Sequence, residues 1–321
     1  MPADAGLILH HYDFSNYAEK ARLALGYKQL AWRGVTIPPV APKPDLARLT
    51  GGYRRTPVLQ IGADVFCDTR LILRELERRK PEPTLYPQGL AAQAAMIAYW
   101  SEHQFFRPVS LYVSGTNLDL LPPTLQADRS AMRGLPPPDA ATMQRATRRN
   151  APLVRAQLPQ IDALLAGSFG ADRASPARAG RRWIAGAEVS VADFSVYHPL
   201  WFITARSTRL AHELAPYPRI AEWMTRMRAF GHGTSTAMSA SEALEVAAAT
   251  HPATPRVSQP YPEDPPVGAR VRIRADDYGR EPVDGQLVLI DAEEIALLRH
   301  DAQLGDVVVH FPRLGYDLRA L

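Results

Sequence analysis

The hydrophobic positions of the first 80 residues change period several times along the chain. Short runs of strand formers are separated by segments in which alanine, leucine and isoleucine recur at helical spacing, with charged residues between them. The extended runs cover residues 7–12, 31–37, 56–61 and 65–67. A Gly-Ala-Asp turn joins the last two runs and predicts a β-hairpin. The predicted order of elements, β-α-β-loop-β-β-α, is typical of a small α/β layer domain.

Helical spacing dominates the middle of the chain, where no strand is expected. The predicted helices cover residues 90–114, 143–166, 191–204 and 220–229. Residues 117–139 carry two proline clusters, which predict a loop or a broken helix. This part of the chain is therefore expected to form a second, helical domain.

The pattern changes again near the C-terminus. Residues 251–266 hold six prolines and predict an extended linker. Four short alternating segments follow and predict a small antiparallel sheet, over residues 269–275, 286–290, 295–299 and 307–311. The predicted domains cover residues 1–82, 88–250 and 267–321. Because few contacts usually cross a proline-rich linker, we expect the last domain to be an accessory module that can be removed without loss of the other two.

Length and composition agree with a folded protein of two or three domains. The 321 residues exceed one ordinary core, and 46% hydrophobic with 22% charged residues is a globular composition. Basic residues exceed acidic ones by only four, 37 against 33, so no nucleic-acid partner is expected. The sequence shows no apolar run near the roughly 18 residues of a membrane span, no signal peptide, and a single cysteine, Cys67. These features predict a cytoplasmic protein without a membrane partner.

Ser15 stands where the first predicted strand gives way to the first predicted helix. Backbone N–H groups and the helix dipole favour an anion at that point, and hydrogen bonding to a thiolate lowers the pKa of the thiol. A serine hydroxyl can hold a thiolate without competing with it as a nucleophile. An ordinary helix N-cap is the alternative interpretation, because serine is a preferred N-cap residue.

Two further motifs lie at element boundaries. Thr56-Pro57 precedes a strand whose apolar pattern predicts a central position in the sheet, where a proline belongs at the first strand residue. A cis peptide bond there would expose the backbone of Thr56 to a ligand, whereas a trans proline at a strand start is the simpler alternative. Asp68-Thr69 begins the next helix, where the pair could bind the ammonium and carboxylate groups of an amino acid or could cap the helix.

In order and spacing, these three motifs resemble the N-terminal domain of the glutathione S-transferase family. Residues 186–193 are similar to the capping box of that family's C-terminal domain, with Ser190 as the N-cap and Asp193 as the N3 residue. The resemblance implies a thioredoxin-like α/β domain followed by an all-α domain. It also implies a homodimeric enzyme that conjugates the glutathione thiolate to a hydrophobic, electrophilic small molecule. The predicted C-terminal β-domain lies outside the resemblance.

The resemblance also implies roles for single residues. Ser15 would stabilise the glutathione thiolate, and Thr56 would pair its backbone with the cysteinyl part of glutathione, with Pro57 cis. Asp68 and Thr69 would hold the γ-glutamyl end.

Several assignments remain open. Arg55 could reach a glutathione carboxylate. Asn16 replaces a proline that is frequent in the family, which leaves Tyr12 as a rival to Ser15, although Tyr12 also fits the core. Cys67 is not at the catalytic position and fits a small buried packing residue, which favours conjugation over thiol transfer.

The electrophile would lie between the two domains, against the long predicted helix. The candidate lining residues are Tyr12, Tyr99, Trp100, His103, Phe106, Arg107 and Tyr112. The nine histidines show no metal-ligand spacing, so no metal is predicted. A second hypothesis is a binding or regulatory protein that keeps the glutathione fold with little or no transferase activity.

Overall fold

The computed structural model describes residues 6–167 and 180–321. Its first part has the predicted order of elements, with one added helix: β1 (Leu7–His11), α1 (Asn16–Tyr27), β2 (Ala31–Thr36), α2 (Pro44–Thr50), β3 (Val58–Ile61), β4 (Asp64–Cys67) and α3 (Thr69–Arg79). Strand β1 pairs in parallel with β2 and antiparallel with β3, and β3 forms the predicted hairpin with β4. The thioredoxin-like α/β domain is thus confirmed. Helix α2 lies where the prolines predict a loop, with Pro44 at its first turn, where proline is tolerated.

The middle of the chain is helical, as predicted. Its helices are α4 (Ala91–Trp100), α5 (Phe106–Thr116), α6 (Pro123–Ala131), α7 (Ala140–Ala166), α8 (Val191–Ala205) and α9 (Pro218–Arg228). A π-helical turn over Ser101–Phe105 joins α4 to α5, so the predicted long helix is continuous but locally widened. The capping box of α8 is confirmed, because the Asp193 carboxylate accepts the Ser190 N–H at 2.9 Å.

The remaining elements are mostly strands: β5 (Thr234–Met238), α10 (Ala240–Ala248), β6 (Arg270–Ala275), β7 (Val283–Ile290), β8 (Glu294–Asp301), β9 (Gly305–Pro312) and β10 (Tyr316–Ala320). The four predicted C-terminal strands are confirmed as β6 to β9. Strands β5 and β10 were not predicted, because most of their residues are exposed and neither has a clear alternation of apolar and polar positions. Strand β5 pairs with β2 and contradicts the expectation that the middle region contains no strand.

All ten strands of the described residues lie in one sheet, in the order β10-β6-β7-β8-β9-β4-β3-β1-β2-β5. The junction between the N-terminal and C-terminal strands is the parallel pair β4 and β9, in which Val65 lies opposite Val309. A single apolar cluster spans this junction and contains Val65, Cys67 and Val309. The antiparallel strands predicted from the sequence are therefore present, but they continue the first sheet. The expectation of an accessory module conflicts with this continuity, and the domain boundaries themselves remain a prediction.

A buried polar cluster crosses the same junction. The His310 ring lies 2.7 Å from Glu294 Oε1 and 3.0 Å from Asp64 Oδ1, and it stacks on Phe66 with ring centroids 4.3 Å apart. Burial opposes the charged imidazole, but hydrogen bonds and charge interactions with the two carboxylates outweigh burial and raise the pKa of His310. The cluster thus links β4 to β8 and β9 within the sheet.

The predicted linker, residues 251–266, contains no helix or strand, but part of it is packed against the sheet. The Ala253 N–H donates to Asp64 at 2.8 Å, and the Arg256 guanidinium donates to Glu294 at 2.7 Å. These contacts also tie the segment to the His310 cluster.

Cys67 is fully buried, and burial raises the pKa of its thiol well above the ordinary value, so its placement agrees with a packing residue.

Within the part of the chain that the structure describes, none of the helices is both long enough and apolar enough to cross a membrane.

Candidate functional site

The start of α1 is built around Ser15, the predicted thiolate stabiliser. Ser15 has extended backbone angles and caps the helix, and its Oγ accepts the Ala18 N–H at 3.2 Å. The residue is only 5% exposed. The next residue, Asn16, donates from its amide nitrogen to His198 Nδ1 at 2.8 Å, which holds the helix start against α8. Burial lowers the pKa of His198 to about 3, so the ring is neutral and can accept this bond.

The loop before β3 exposes a polar stretch of backbone. The Thr56–Pro57 peptide bond is cis, as the resemblance implies. Lys43 Nζ donates to Thr56 Oγ1 at 3.1 Å and to the Arg54 carbonyl at 3.1 Å. By contrast, the main-chain N–H and C=O of Thr56 make no hydrogen bond with any residue that the structure describes.

The start of α3 holds the Asp68-Thr69 pair. Asp68 has φ 73°, a left-handed conformation that costs a non-glycine residue about 1–3 kcal/mol and is often found at functional sites. Its Oδ1 caps the helix by accepting the Arg70 N–H at 2.9 Å, and its Oδ2 accepts the Tyr316 hydroxyl at 3.2 Å. Thr69 Oγ1 accepts from Lys20 Nζ at 3.1 Å. The helix start thus presents free N–H groups beside a fixed carboxylate.

These motifs converge on one open cleft, whose free volume, including the part open to solvent, is about 470 Å³. Six predicted residues line it: Arg55, Thr56, Pro57, Asp68, Thr69 and His103. The sequence did not point to the other five, which are Tyr17, Tyr53, Glu102, Asp277 and Tyr278. Ser15 is not among the lining residues. A smaller adjoining recess adds Arg70, Asp276, Leu314, Gly315 and Tyr316.

The C-terminal strands supply one wall of this cleft. The Arg55 guanidinium pairs with the Asp277 carboxylate, donates to the Tyr278 carbonyl, and lies 4.4 Å from the centre of the Tyr278 ring. The Gly279 N–H donates to the Met132 carbonyl at 2.6 Å, which fastens the same loop to the helical domain. The loop between β6 and β7, which belongs to the predicted accessory module, therefore reaches the cleft.

The π-helical turn supplies the opposite wall. Glu102 pairs with the buried Lys20 and accepts the Ser195 hydroxyl at 2.9 Å. Burial opposes ionisation of Glu102, but Lys20 outweighs this effect and lowers the pKa of the carboxyl group to about 2. The turn also brings His103 to the cleft. Local π-helical turns are frequent at functional sites because they re-aim side chains from a continuous helix.

The candidate electrophile-lining residues divide into two groups. His103 lines the cleft and stacks on Tyr99 with centroids 4.0 Å apart, while Phe106 packs edge-on against Tyr17 at 4.9 Å. The others lie elsewhere. Trp100 stacks on Phe105 in the helical core.

Tyr12, Arg107 and Tyr112 also lie outside the lining of the cleft. The Tyr12 hydroxyl accepts from Arg129 at 2.8 Å, and burial raises its pKa. The Tyr112 hydroxyl donates to Glu213 at 2.5 Å, and Arg107 is exposed to solvent.

The missed residues had weak signals in the sequence. Tyr17 lies two residues after Ser15, where it was interpreted only as the first position of a helix. Asp277 and Tyr278 fall between the predicted strands over residues 269–275 and 286–290, and Tyr316 lies outside every predicted strand. Asp277 contacts Arg55, 222 residues earlier in the chain. This contact depends on the order of strands in the sheet, which no local sequence pattern contains.

Comparisons with known proteins extend these observations. Residues 9–84 match the family description "Glutathione S-transferase, N-terminal domain", and residues 144–226 match "Glutathione S-transferase, C-terminal domain". A solved GST-like protein from Pseudomonas syringae is 36% identical, with a TM-score of 0.73, and the match covers 99% of this chain and 100% of that one. A search of the curated proteins finds no significant match.

Two other solved structures share the fold over about 70% of this chain. A glutathione S-transferase from Rhodospirillum rubrum F11 is 23% identical with a TM-score of 0.52, covering 69% of this chain and 87% of that one. FzlA from C. crescentus is 22% identical with a TM-score of 0.52, covering 70% of this chain and 88% of that one. The match to the Pseudomonas syringae protein, in contrast, includes the C-terminal strands.

Proposed function

The chain belongs to the glutathione S-transferase family, and from this premise we propose that it binds glutathione in the cleft beside Thr56 and Asp68 and conjugates the thiolate to an electrophilic small molecule. Glutathione is the co-substrate, and no metal takes part in the proposed reaction. A reducing cytoplasm and a homodimer remain expectations for this protein.

The observation that carries the proposal is the free backbone of Thr56. Both its N–H and its C=O lack a hydrogen-bond partner among the described residues, and Thr56 is one of the residues that line the cleft. Buried or half-buried backbone groups are nearly always paired, so a ligand with a complementary peptide group is their natural partner. The cysteinyl unit of glutathione has such a group, and binding there would place its sulfur on the side of α1.

The charges of the cleft fit the two ends of the tripeptide. Asp68 offers a carboxylate to the γ-glutamyl ammonium, and the N–H groups at the start of α3 favour the adjacent carboxylate. At the other end, Arg55 offers a guanidinium to the glycyl carboxylate. A charge-assisted hydrogen bond of this kind contributes about 1.5–3 kcal/mol.

Ser15 is the proposed thiolate stabiliser. Its oxygen accepts the Ala18 N–H, so its hydroxyl hydrogen stays available to donate to a sulfur anion. The dipole of α1 favours the same charge, and each unit by which the thiol pKa falls corresponds to about 1.4 kcal/mol. Tyr12 is a weaker candidate, because it lies before the N-cap of α1, where the helix dipole does not add to the effect of its hydroxyl.

The electrophile would enter beside His103, Tyr17 and Phe106, on the helical side of the cleft. Holding both reactants there would supply proximity, and the lowered thiol pKa would supply the nucleophile at neutral pH. Cys67 does not compete, because its thiol is fully buried and its pKa is raised.

A second candidate function is glutathione binding with little or no transferase activity. Two observations favour it: Ser15 is 5% exposed and absent from the lining of the cleft, and the loop carrying Tyr278 covers one side of the cleft. Access of an electrophile to the sulfur would then be restricted.

One experiment separates the two functions. The protein is applied to immobilised glutathione, and the retained protein is assayed for conjugation with a generic aromatic electrophile. Retention with conjugation supports the enzyme, and retention without conjugation supports the binding protein. Failure to be retained, together with no conjugation in solution, would contradict both.

A further inference from the structure

Strand β10 begins against the cleft although it lies at the far edge of the sheet. Five positions separate it from β4 in the strand order, yet the Tyr316 hydroxyl is 3.2 Å from Asp68 Oδ2. The strands coil back far enough for Tyr316 to pack against Phe311 and Tyr53, with ring centroids 5.5 Å and 6.5 Å apart. Gly315, with φ 90°, provides the left-handed turn that begins the strand.

Asp68 needs this contact more than an ordinary N-cap residue does. Its Oδ1 accepts the Arg70 N–H of the helix, and its Oδ2 accepts the Tyr316 hydroxyl, so the protein holds both oxygens. A carboxylate oxygen accepts more than one hydrogen bond, and therefore Oδ2 can accept from Tyr316 and from an ammonium group together. The helix cap holds the carboxylate at Oδ1 only. The bond from Tyr316 to Oδ2 holds the other oxygen and so fixes the rotation of the carboxylate.

The Tyr316 hydroxyl is a dependable donor. Burial raises its pKa well above the ordinary value, and the nearby oxygens of Tyr53 and Asp68 raise it further, so the phenol keeps its proton. Its second neighbour is the Tyr53 hydroxyl at 3.3 Å, which can donate to the Tyr316 oxygen while the single Tyr316 hydrogen is directed to Asp68. The two phenols and the carboxylate thus form a short polar chain that leads from β10 into the cleft.

We propose that Tyr316 is a positioning residue of the glutathione site, contributed by the C-terminal strands, whose hydroxyl orients the Asp68 carboxylate toward the ammonium group of the γ-glutamyl unit. This inference rests on the proposed function. It gives the added strands a role in recognition of the amino-acid end of the ligand. Preorganising a charged group in this way raises affinity by reducing the cost of ordering it on binding.

The test is a calorimetric comparison of two ligands. One is glutathione, and the other is glutaryl-cysteinyl-glycine, which is glutathione without its α-amino group. Tyr316→Phe should weaken glutathione binding about three- to tenfold, the range for loss of one hydrogen bond, and should change binding of the deamino ligand less than about twofold. In the Asp68→Asn background, the further change Tyr316→Phe should have no effect on glutathione affinity.

Tyr316→Phe keeps the ring and its packing, so the variant is expected to fold. The matched control is Tyr261→Phe, which removes an exposed hydroxyl from residues 251–266 and should leave both affinities unchanged. Equal weakening of the two ligands would show a general structural role and would overturn the inference, as would wild-type glutathione affinity in Tyr316→Phe. Absence of glutathione binding by the wild-type protein would overturn the proposed function and this inference with it.

Discussion

Replacement of His310 tests whether the C-terminal strands are an integral part of the sheet. His310→Ala removes the hydrogen bonds to Asp64 and Glu294, each about 1.5–3 kcal/mol for a charged partner. Glu294 keeps Arg78 and Arg256, both at 2.7 Å, which offsets part of the loss. We therefore expect the free energy of unfolding to fall by about 3–4 kcal/mol, within the range for breaking a buried charged pair.

The effect of His310 also depends on pH. Its pKa is raised above the value of about 6.5 in the unfolded chain, so the folded state binds the proton more tightly. The resulting stabilisation is fully present below pH 6.5 and is lost as the pH rises through the raised folded-state value. The difference in unfolding free energy between wild type and His310→Ala should therefore shrink across that range.

Urea unfolding, followed by tryptophan fluorescence and by far-ultraviolet circular dichroism, measures both effects. The five tryptophans lie between Trp32 and Trp223, so fluorescence reports on the first two domains and dichroism on the whole fold. The control is His300→Ala, an exposed histidine on β8, which should change stability by less than about 0.5 kcal/mol. A loss below about 1 kcal/mol in His310→Ala, or a separate wild-type transition for the C-terminal strands, would refute the reasoning.

Two further predictions concern the site and the chain ends. Ser15→Ala should keep glutathione binding but raise the pKa of the bound thiol, because the hydroxyl donor is lost; ultraviolet absorbance of the thiolate against pH measures this, and an unchanged titration would remove Ser15 from the mechanism. A chain ending at Thr250 should be less stable and should bind glutathione more weakly, because it lacks β9 beside β4 and the Tyr316 bond to Asp68. Thermal unfolding and calorimetry measure the two effects. Wild-type values in both would show that the C-terminal strands are an accessory module.

The sequence predicts those features of the fold that depend on residues close together in the chain. The order of elements up to α3, the capping box at Ser190 and the positions of β6 to β9 follow from apolar spacing and turn residues within a few positions. Strand β5 could not be predicted in this way, because its residues are mostly exposed and it forms a strand only by pairing with β2.

The site residues likewise divide into those with a local sequence signal and those without one. Thr56-Pro57 and Asp68-Thr69 were found because their chemistry lies at recognisable element boundaries. Tyr278 and Tyr316 were missed, because their roles arise only when β9 joins β4 and brings residues more than 200 positions apart into contact. A sheet register of this kind is set by the packing of the whole fold, and a local pattern does not contain it.

Calorimetric titration of glutathione into the wild-type protein and into Asp68→Asn tests the central claim most directly. We expect saturable binding by wild type and an affinity about 10- to 150-fold lower in the variant, because one charge-assisted hydrogen bond is lost. Asparagine keeps the size of the side chain, and its carbonyl oxygen can still cap α3. Equal affinity in the folded variant, or no binding by the wild-type protein, would contradict the assignment of this cleft as the glutathione site.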